Sequence, residues 1–443
     1  MKNKLLILFL FIVGQILYAQ QVSFVEYDLD NGLHVILHQD NSAPVVTTSV
    51  LYHVGSKDEN PERTGFAHFF EHLLFEGTEN IERGKWFDIV SSNGGSNNAY
   101  TTNDFTYYYE VFPSNSLELG LWMESERMLH PIINQAGVDT QNEVVKEEKR
   151  LRYDNRPYGK FLENVKKNLF KKHPYKETTI GKMEHLDAAT LEEFMAFNKK
   201  YYIPNNAVLI VTGDINIDKT KKMIDDYFGP IPKGNSIQRV AILEDPITEK
   251  INAEVFDSNI QIPALITAYR TPAVRTRASK VLDMISTYLS DGKSSKLYKK
   301  MVDREKTALN VATLNFSQED YGIYIIYGLP MGENSLATME EEIDEEIEKI
   351  QRQLISEKDY QKLQNKFEKN FVDSNTSMEG IANSLGQFYV FHGDTNLINS
   401  EIDIYQSITR DEIREVARKY LNPNQRVVVN YLPESSRSNL EKK

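Results

Sequence analysis

The sequence predicts an α+β fold in which one domain occurs twice. Two observations carry this expectation. Strand-like segments come in hairpins and helix-like segments in blocks, which fits α+β rather than a parallel doubly wound sheet. A repeat also recurs at a constant offset of 219 residues. In the first copy, Thr190-Leu-Glu-Glu-Phe leads to Lys200-Tyr201-Tyr202-Ile203-Pro204-Asn205 and a strand-like run at 208–211. In the second, Thr409-Arg-Asp-Glu-Ile leads to Lys419-Tyr420-Leu421-Asn422-Pro423-Asn424 and a strand-like run at 427–429. Each copy reads as a capped helix, an aromatic-Pro-Asn turn and a strand.

The remaining elements follow in order. Residues 22–27, 33–38 and 45–54 read as strands, and Asp30-Asn31-Gly32 as the hairpin turn between the first two. Residues 99–112 form a Tyr- and Thr-rich strand region, and 206–212 another short strand. The first domain is expected over 21–228, a linker rich in Gly, Pro and polar residues over 229–248, and the second domain over 249–443. The acidic run 340–348 reads as the solvated face of a helix.

At 443 residues the chain is too long for one ordinary core. With 40% apolar and 26% charged residues it fits a soluble globular protein. A net charge of -13 argues against nucleic acid and against docking on an anionic membrane. Residues 1–20 read as a secretory signal: Lys2 and Lys4, then an apolar run at 5–13, then the small residue Ala19. The alternative, a retained anchor, is disfavoured because Gly14 and Gln15 interrupt the run. A periplasmic or secreted protein without a stable membrane anchor is expected, and with no cysteine it needs no disulfide.

The segment His68-Phe-Phe-Glu71-His72 carries the chemistry. On a helix, His68 and His72 lie one turn apart on one face, a chelating spacing for one zinc ion. Glu71 sits on the adjoining face. There it can take the proton of a water held by the ion as that water attacks a peptide carbonyl. The order is the inverse of the commoner His-Glu-x-x-His. The surrounding Phe and Leu residues predict a buried helix.

Three protein ligands leave a zinc ion one open position, so a third is required. Residues 141–152 read as a helix on which Val144, Val145 and Leu151 define an apolar arc. Glu148 falls in the middle of that arc and Glu147 outside it. A glutamate facing inward needs a partner, and a metal ion or a buried salt bridge would each serve. Gln141 lies on the same face two turns earlier, placed to hydrogen-bond behind the ligands.

These residues resemble the pitrilysin/insulinase family of zinc peptidases, which includes the mitochondrial processing peptidase. The resemblance rests on Gly65 to Thr78, Asn98-Ala99-Tyr100-Thr101, Glu143 to Arg150, His173-Pro174-Tyr175 and Tyr202 to Ala207. It implies a third ligand 76 positions after the second histidine, which is Glu148. It implies two α+β domains forming half of a clamshell, with one Zn2+ per chain held by the first. It implies that a peptide substrate adds as a strand along Asn98, Ala99, Tyr100 and Thr101. Main-chain bonding of that kind gives breadth rather than sharp sequence choice.

Two departures stand out. The family's Glu seven residues before the ligand Glu is Gln141 here. In the second half, Leu289 to Leu297 resembles the family segment that precedes a substrate-binding Arg and Tyr, and those two positions hold Val302 and Leu309. A heterodimer with a second family chain supplying the pair is therefore expected. A shift of register would instead bring in Arg304 or Tyr298. The leading expectation is a zinc metalloendopeptidase with Glu71 as base. The alternatives are a non-catalytic structural or binding subunit and a binding protein with a structural zinc.

Overall fold

The computed structural model describes residues 21–437, so the expected signal segment at 1–20 lies outside the described residues. Two mixed sheets form the frame. The first contains β1 (Val25–Asp28), β2 (His34–Gln39), β3 (Val45–Tyr52), β4 (Ser96–Thr101), β5 (Thr106–Pro113) and β6 (Ala207–Gly213). Its order is β1-β2-β6-β3-β5-β4. The second contains β7 (Ile251–Asp257), β8 (Ala264–Pro272), β9 (Ala308–Phe316), β10 (Tyr321–Pro330) and β11 (Val427–Pro433), in the order β7-β11-β8-β10-β9. In each sheet one pair runs parallel, β2 with β6 and β7 with β11. Remove β1 and the two orders coincide strand for strand, which is the duplication that the 219-residue repeat predicts.

The repeat is visible in detail at its helices. In the helix Leu191–Tyr201, Thr190 accepts from Glu193 N while the Glu193 carboxylate accepts from Thr190 N. Thr409 and Glu412 make the same reciprocal pair at the start of Arg410–Tyr420. Such a cap satisfies two helix-end donors that would otherwise lack partners.

The hairpin between β1 and β2 turns at Asp30–Asn31. Asn31 Nδ2 donates to the carbonyls of Phe228 and Ile231 at 2.8 and 2.9 Å, tying the turn to the end of the first half. Strands β3 and β6 are buried along almost their whole length because both faces of the sheet are covered.

The second cover is unexpected. The helix Met378–His392, late in the chain, lies on the back of the first sheet, with Ile381, Ala382 and Leu385 against Ile36, Leu51 and Ile210. In exchange, the helix Phe161–Leu169 of the early half packs Val165 and Leu169 on Ile266, Ile325 and Val429 of the second sheet. The halves thus interleave. Among the described residues no helix is long and apolar enough to cross a membrane.

Two local expectations need correction. The acidic run is not wholly solvated: Glu340 and Asp344 bind the buried Arg426 at 2.6 and 2.8 Å, and Glu346 is buried too. A guanidinium removed from water requires carboxylate partners, and this helix supplies them. The apolar arc also fails at its edges, because Val144 is 44% and Leu151 64% exposed. The α-helix Gln135–Lys149 passes into a π-helical turn at Arg150–Asp154, which changes the angle per residue and rotates Leu151 outward. Val138 and Val145 hold the buried face, and Gln141 and Glu148 lie along it.

Candidate active site

Helix α1 (Phe66–Leu73) carries His68, Glu71 and His72, and its position is fixed from both ends. At its start, Gly65 takes φ +97, and a Cβ there would stand 2.8 Å from the Ile180 carbonyl oxygen. The buried Glu59 carboxylate accepts from Gly65 N and Ala67 N, both at 2.8 Å. These are helix-end donors, and an anion suits the positive end of the helix dipole. Burial nevertheless raises the Glu59 carboxyl well above its usual range, against those two bonds.

At the helix C-terminus, Arg127 Nη1 donates to Leu74 O at 3.1 Å, and in the last turn Tyr108 OH donates to Phe70 O at 3.0 Å. Arg127 is itself buried, paired with Glu110 and Glu124 and stacked 4.0 Å over the Trp86 ring. Phe66, Phe69 and Phe70 pack their rings on Phe194. The helix that carries His68 and His72 is therefore held by ion pairs, backbone caps and aromatic contacts that surround it.

The third group comes from α2 (Gln135–Lys149). Glu148 Oε2 lies 3.6 Å from His68 Nε2 and 3.2 Å from His72 Nε2, and the ligand atoms of all three fall within 4.8 Å of one another. This is the one such His/Cys/Asp/Glu group found among the described residues. Burial would raise the Glu148 carboxyl, but the hydrogen bonds to His68 and His72 and their charges win and hold it well below the usual range. The other oxygen, Oε1, meets Arg152 at 2.7 Å, leaving one oxygen to face the imidazoles. Glu147 points away and pairs with Arg150 on the exposed side.

A metal ion fits these residues. Two imidazoles and one carboxylate are a zinc donor set that leaves a position open. The three converging acceptors are already gathered by the packing of α1 on α2, so little reorganisation is needed.

Glu71 stands beside this group and accepts a hydrogen bond from Thr101 Oγ1 at 2.6 Å. Thr101 ends β4, the outermost strand of the first sheet, so among the described residues one edge of β4 is free of a neighbouring strand. Along that strand Ala99 is buried, while Asn98 and Tyr100 point to the other face. Tyr100 OH accepts from Asn383 of the late helix Met378–His392 at 2.6 Å. All four residues expected to form a peptide-binding edge thus lie on an edge strand that ends at the Glu71 carboxylate.

Gln141 does not touch the imidazoles. Its Nε2 donates to Glu76 Oε1 at 2.5 Å, a tie between α2 and the segment just after α1, and its Oε1 is buried without a partner among the described residues. In the second half, Val302 is half-buried against the core and Leu309 lies exposed on the edge strand β9. Arg304 is exposed with Nε on Lys299 O at 3.2 Å, and Tyr298 is half-buried.

Several contributors escaped the sequence reading. Glu59 and Arg127 act through contacts that span 6 to 53 residues of chain. A network at the seam was also missed. Lys57 Nζ contacts Asp104, Glu319 and Asp320 at 3.1, 2.6 and 3.0 Å, with His53 on Glu319 at 2.8 Å and His173 on Asp320 at 3.4 Å. Tyr175 donates to Asp104 and accepts from Asp320 N. Only His173-Pro174-Tyr175 gave a signal beforehand, as part of a family resemblance.

Comparison with known proteins places the chain among peptidases of one family. The description "Insulinase (Peptidase family M16)" matches residues 34–182, and "Peptidase M16 inactive domain" matches 188–367. A protein of Helicobacter pylori named "Zinc protease PqqE" is 27% identical over 90% of this chain and 91% of its own. An uncharacterised zinc protease of Bacillus subtilis, YmxG, is 22% identical over 89% of this chain and 94% of its own. A protease from Helicobacter pylori superposes with a TM-score of 0.89 at 26% identity, covering 93% of this chain and all of that one. The periplasmic protease PqqL of Escherichia coli shares the fold, TM-score 0.75 at 19% identity, with 92% of this chain covering 47% of that one. With the two family descriptions met in tandem along one duplicated fold, the chain belongs to the insulinase family of peptidases, M16.

Proposed function

We propose that this chain is a zinc-dependent endopeptidase that hydrolyses unstructured peptides or small unfolded proteins. The observation that carries the reading is the placement of Glu71: beside the His68–His72–Glu148 group and at the end of an edge strand open to a peptide.

His68, His72 and Glu148 would hold the ion. When bound, zinc polarises a peptide carbonyl and makes a water easier to deprotonate. The chain's residues do the rest. The open edge of β4 offers backbone N–H and C=O groups that orient an extended peptide without reading its sequence. Glu71 accepts the proton of the attacking water and can pass it to the amine that leaves. Thr101 holds the Glu71 carboxylate toward the scissile bond through its hydroxyl. Buried walls from Phe69, Phe70 and Tyr108 lower the local polarity behind the base. The export signal read at 1–20 and the likeness in fold to a periplasmic protease support a periplasmic or secreted site of action.

The test is Glu71→Gln. The variant should fold and bind one zinc per chain, yet lose hydrolysis of an unstructured peptide by more than about 100-fold. Near wild-type turnover would sink the reading. The second reading, a non-catalytic binding subunit, has the inactive-domain match over 188–367 in its favour. It predicts peptide binding with no zinc-dependent cleavage by the wild-type chain.

A further inference from the structure

Residues 232–248 run between the two sheets without any helix or strand. Their path is pinned at two points. Arg239 donates to His53 O and, at 3.1 Å, to Asn206 Oδ1, both in the first half. Five residues later the Glu244 side chain is buried, and its Oε1 accepts from the backbone N–H groups of Lys171, Lys172 and His173 at 2.8, 2.6 and 2.6 Å. Its Oε2 faces Arg270 of the second half at 3.4 Å, and its own N–H donates to Tyr321 OH at 3.0 Å. Burial pushes the Glu244 carboxyl up, but the three backbone bonds and the Arg270 charge outweigh it and hold it below its usual range.

Between the two pins lie Val240-Ala241-Ile242-Leu243, all four exposed. Val240 is 82% and Leu243 75% in solvent, and Ile242 joins them. Elsewhere among the described residues no stretch of four holds even two large apolar side chains this exposed. Apolar residues scattered singly over a surface are ordinary, whereas a run of them marks a contact. The backbone is equally bare: among the described residues no N–H or C=O group of 240–243 bonds to protein. Beneath 240–242 lies a cavity of about 310 Å³, walled by Lys57, His173 and Arg275, instead of packed core. The segment is thus held at both ends, unsupported in the middle and free along both edges.

We propose that 240–243 is the chain's site of limited proteolysis. A peptidase that favours aliphatic residues adds water across one peptide bond there and leaves a carboxylate and an amine. Helices and paired strands resist such attack because their backbone groups are already bonded, and nicking concentrates where backbone is exposed and unpaired. Residues 240–243 meet that condition without any local unfolding, and they offer the aliphatic side chains that a peptidase pocket holds. A folded partner would need a rigid platform to dock on, and the cavity beneath denies it one. The inference stands whether or not this chain is itself a peptidase. The cut releases neither half, because each has lent the other a helix: Phe161–Leu169 lies on the second sheet and Met378–His392 on the first. Val22 also exchanges two hydrogen bonds with Asn399, at 2.8 and 3.0 Å. The nicked molecule is therefore one particle made of two fragments.

The test is brief treatment of the purified full-length chain with a trace of thermolysin, which cuts before aliphatic residues. The first cut within 21–437, located by mass spectrometry, should fall between Arg239 and Glu244. The two fragments should elute together where the intact chain elutes, and separate only in urea. The triple variant Val240→Asp, Ile242→Asp, Leu243→Asp changes exposed side chains alone, so its urea midpoint should stay where it was. Its first cut should be slower by at least about 10-fold, the selection that an apolar contact in a peptidase pocket provides. A first cut elsewhere within 21–437, or a cut at 240–243 that the triple variant leaves equally fast, would overturn the site. Resistance of 240–243 in the wild type would overturn it as well, and would show that a second copy of the chain covers the segment. Fragments that part without urea would refute the claim that the exchanged helices hold the nicked molecule together.

Discussion

Thr101 Oγ1 donates to Glu71 Oε2 at 2.6 Å, so the last residue of the edge strand holds the carboxylate that is to act as base. The edge strand proposed to bind substrate and the carboxylate proposed as base are thereby tied together. A peptide docked on β4 arrives in register with Glu71, and the two cannot drift apart without breaking a charge-assisted hydrogen bond.

Removing that hydroxyl should uncouple them. In Thr101→Val the strand and its main-chain groups remain, so KM should change little. The carboxylate loses its orienting partner, and kcat should fall by about 10-fold, the value of one hydrogen bond to a charged group. Thr101→Ser keeps the donor and should restore most of the rate. Equal loss in both variants, or a rise in KM alone, would show that Thr101 serves only the strand.

The third ligand proposed, Glu148, can be separated from its neighbour. Glu148→Gln should lower zinc affinity by more than about 100-fold, beyond the usual cost of changing a residue behind the ligands. Glu147→Gln should leave it unchanged, since Glu147 is exposed and paired with Arg150. Metal content after dialysis against a weak chelator checks both. Equal loss from the two would place the ligand face one residue away.

This contrast also marks what the sequence could and could not reveal. His68 and His72 were legible because helical spacing alone puts them on one face. Glu148 was reached through an arc whose edge members, Val144 and Leu151, proved exposed. Glu148 nevertheless lies beside His68 and His72, because Val138 and Val145 define the same face. The π-helical turn at Arg150 had no local signature, and it decides where Arg152 meets Glu148. The duplicated sheets were legible because each copy repeats a cap, a Pro-Asn turn and a strand. The crossing of helices between halves was not, because Ile381 of Met378–His392 meets Ile210 across 171 residues of chain and no short window records that contact. Glu340 and Asp344 looked solvated because Arg426, their partner, lies some 80 residues away.

The seam network predicts an acid limit to stability. Burial would raise the Glu319 carboxyl, but the His53 hydrogen bond and the charges of His53 and Lys57 outweigh it and lower it to about 2. A depressed carboxyl contributes stability in full above its unfolded value of 4.5, and that contribution is lost as pH falls from there toward about 2. Glu319→Gln should therefore be less stable than wild type near pH 6.5, by on the order of 3 kcal/mol. The gap should close as pH falls through that window. Urea midpoints at a series of pH values check this, and a gap that stays constant down to pH 2.5 would show that Glu319 is not held by these charges. Because Asp104 joins the same network three residues after Thr101, the variant should also lose some activity at neutral pH.

The last prediction is that this chain works poorly alone and needs an unlike partner. Its fold matches 47% of the length of the larger protease PqqL, so a second unit of similar size would bring the total to about that length. Where the family resemblance implies a substrate-binding Arg and Tyr, this chain places Val302 against the core and Leu309 in solvent on β9. Neither side chain can donate a hydrogen bond to a substrate carbonyl or a developing oxyanion. A second copy of the same chain would present the same two residues and repair nothing. Loss of such a donor costs on the order of 10²–10³ in rate, so a partner chain that retains the pair should raise turnover by that factor. A register shift would instead recruit Arg304, already exposed, or Tyr298, half-buried nearby. The purified chain assayed on an unstructured peptide, with and without the candidate partner, decides the matter. Full activity of the lone chain, undiminished by Arg304→Ala and Tyr298→Phe, would eliminate both the partner and the shifted register. Low activity that rises about 100-fold on adding the partner, and falls again when the partner's arginine is replaced, would establish the division of labour.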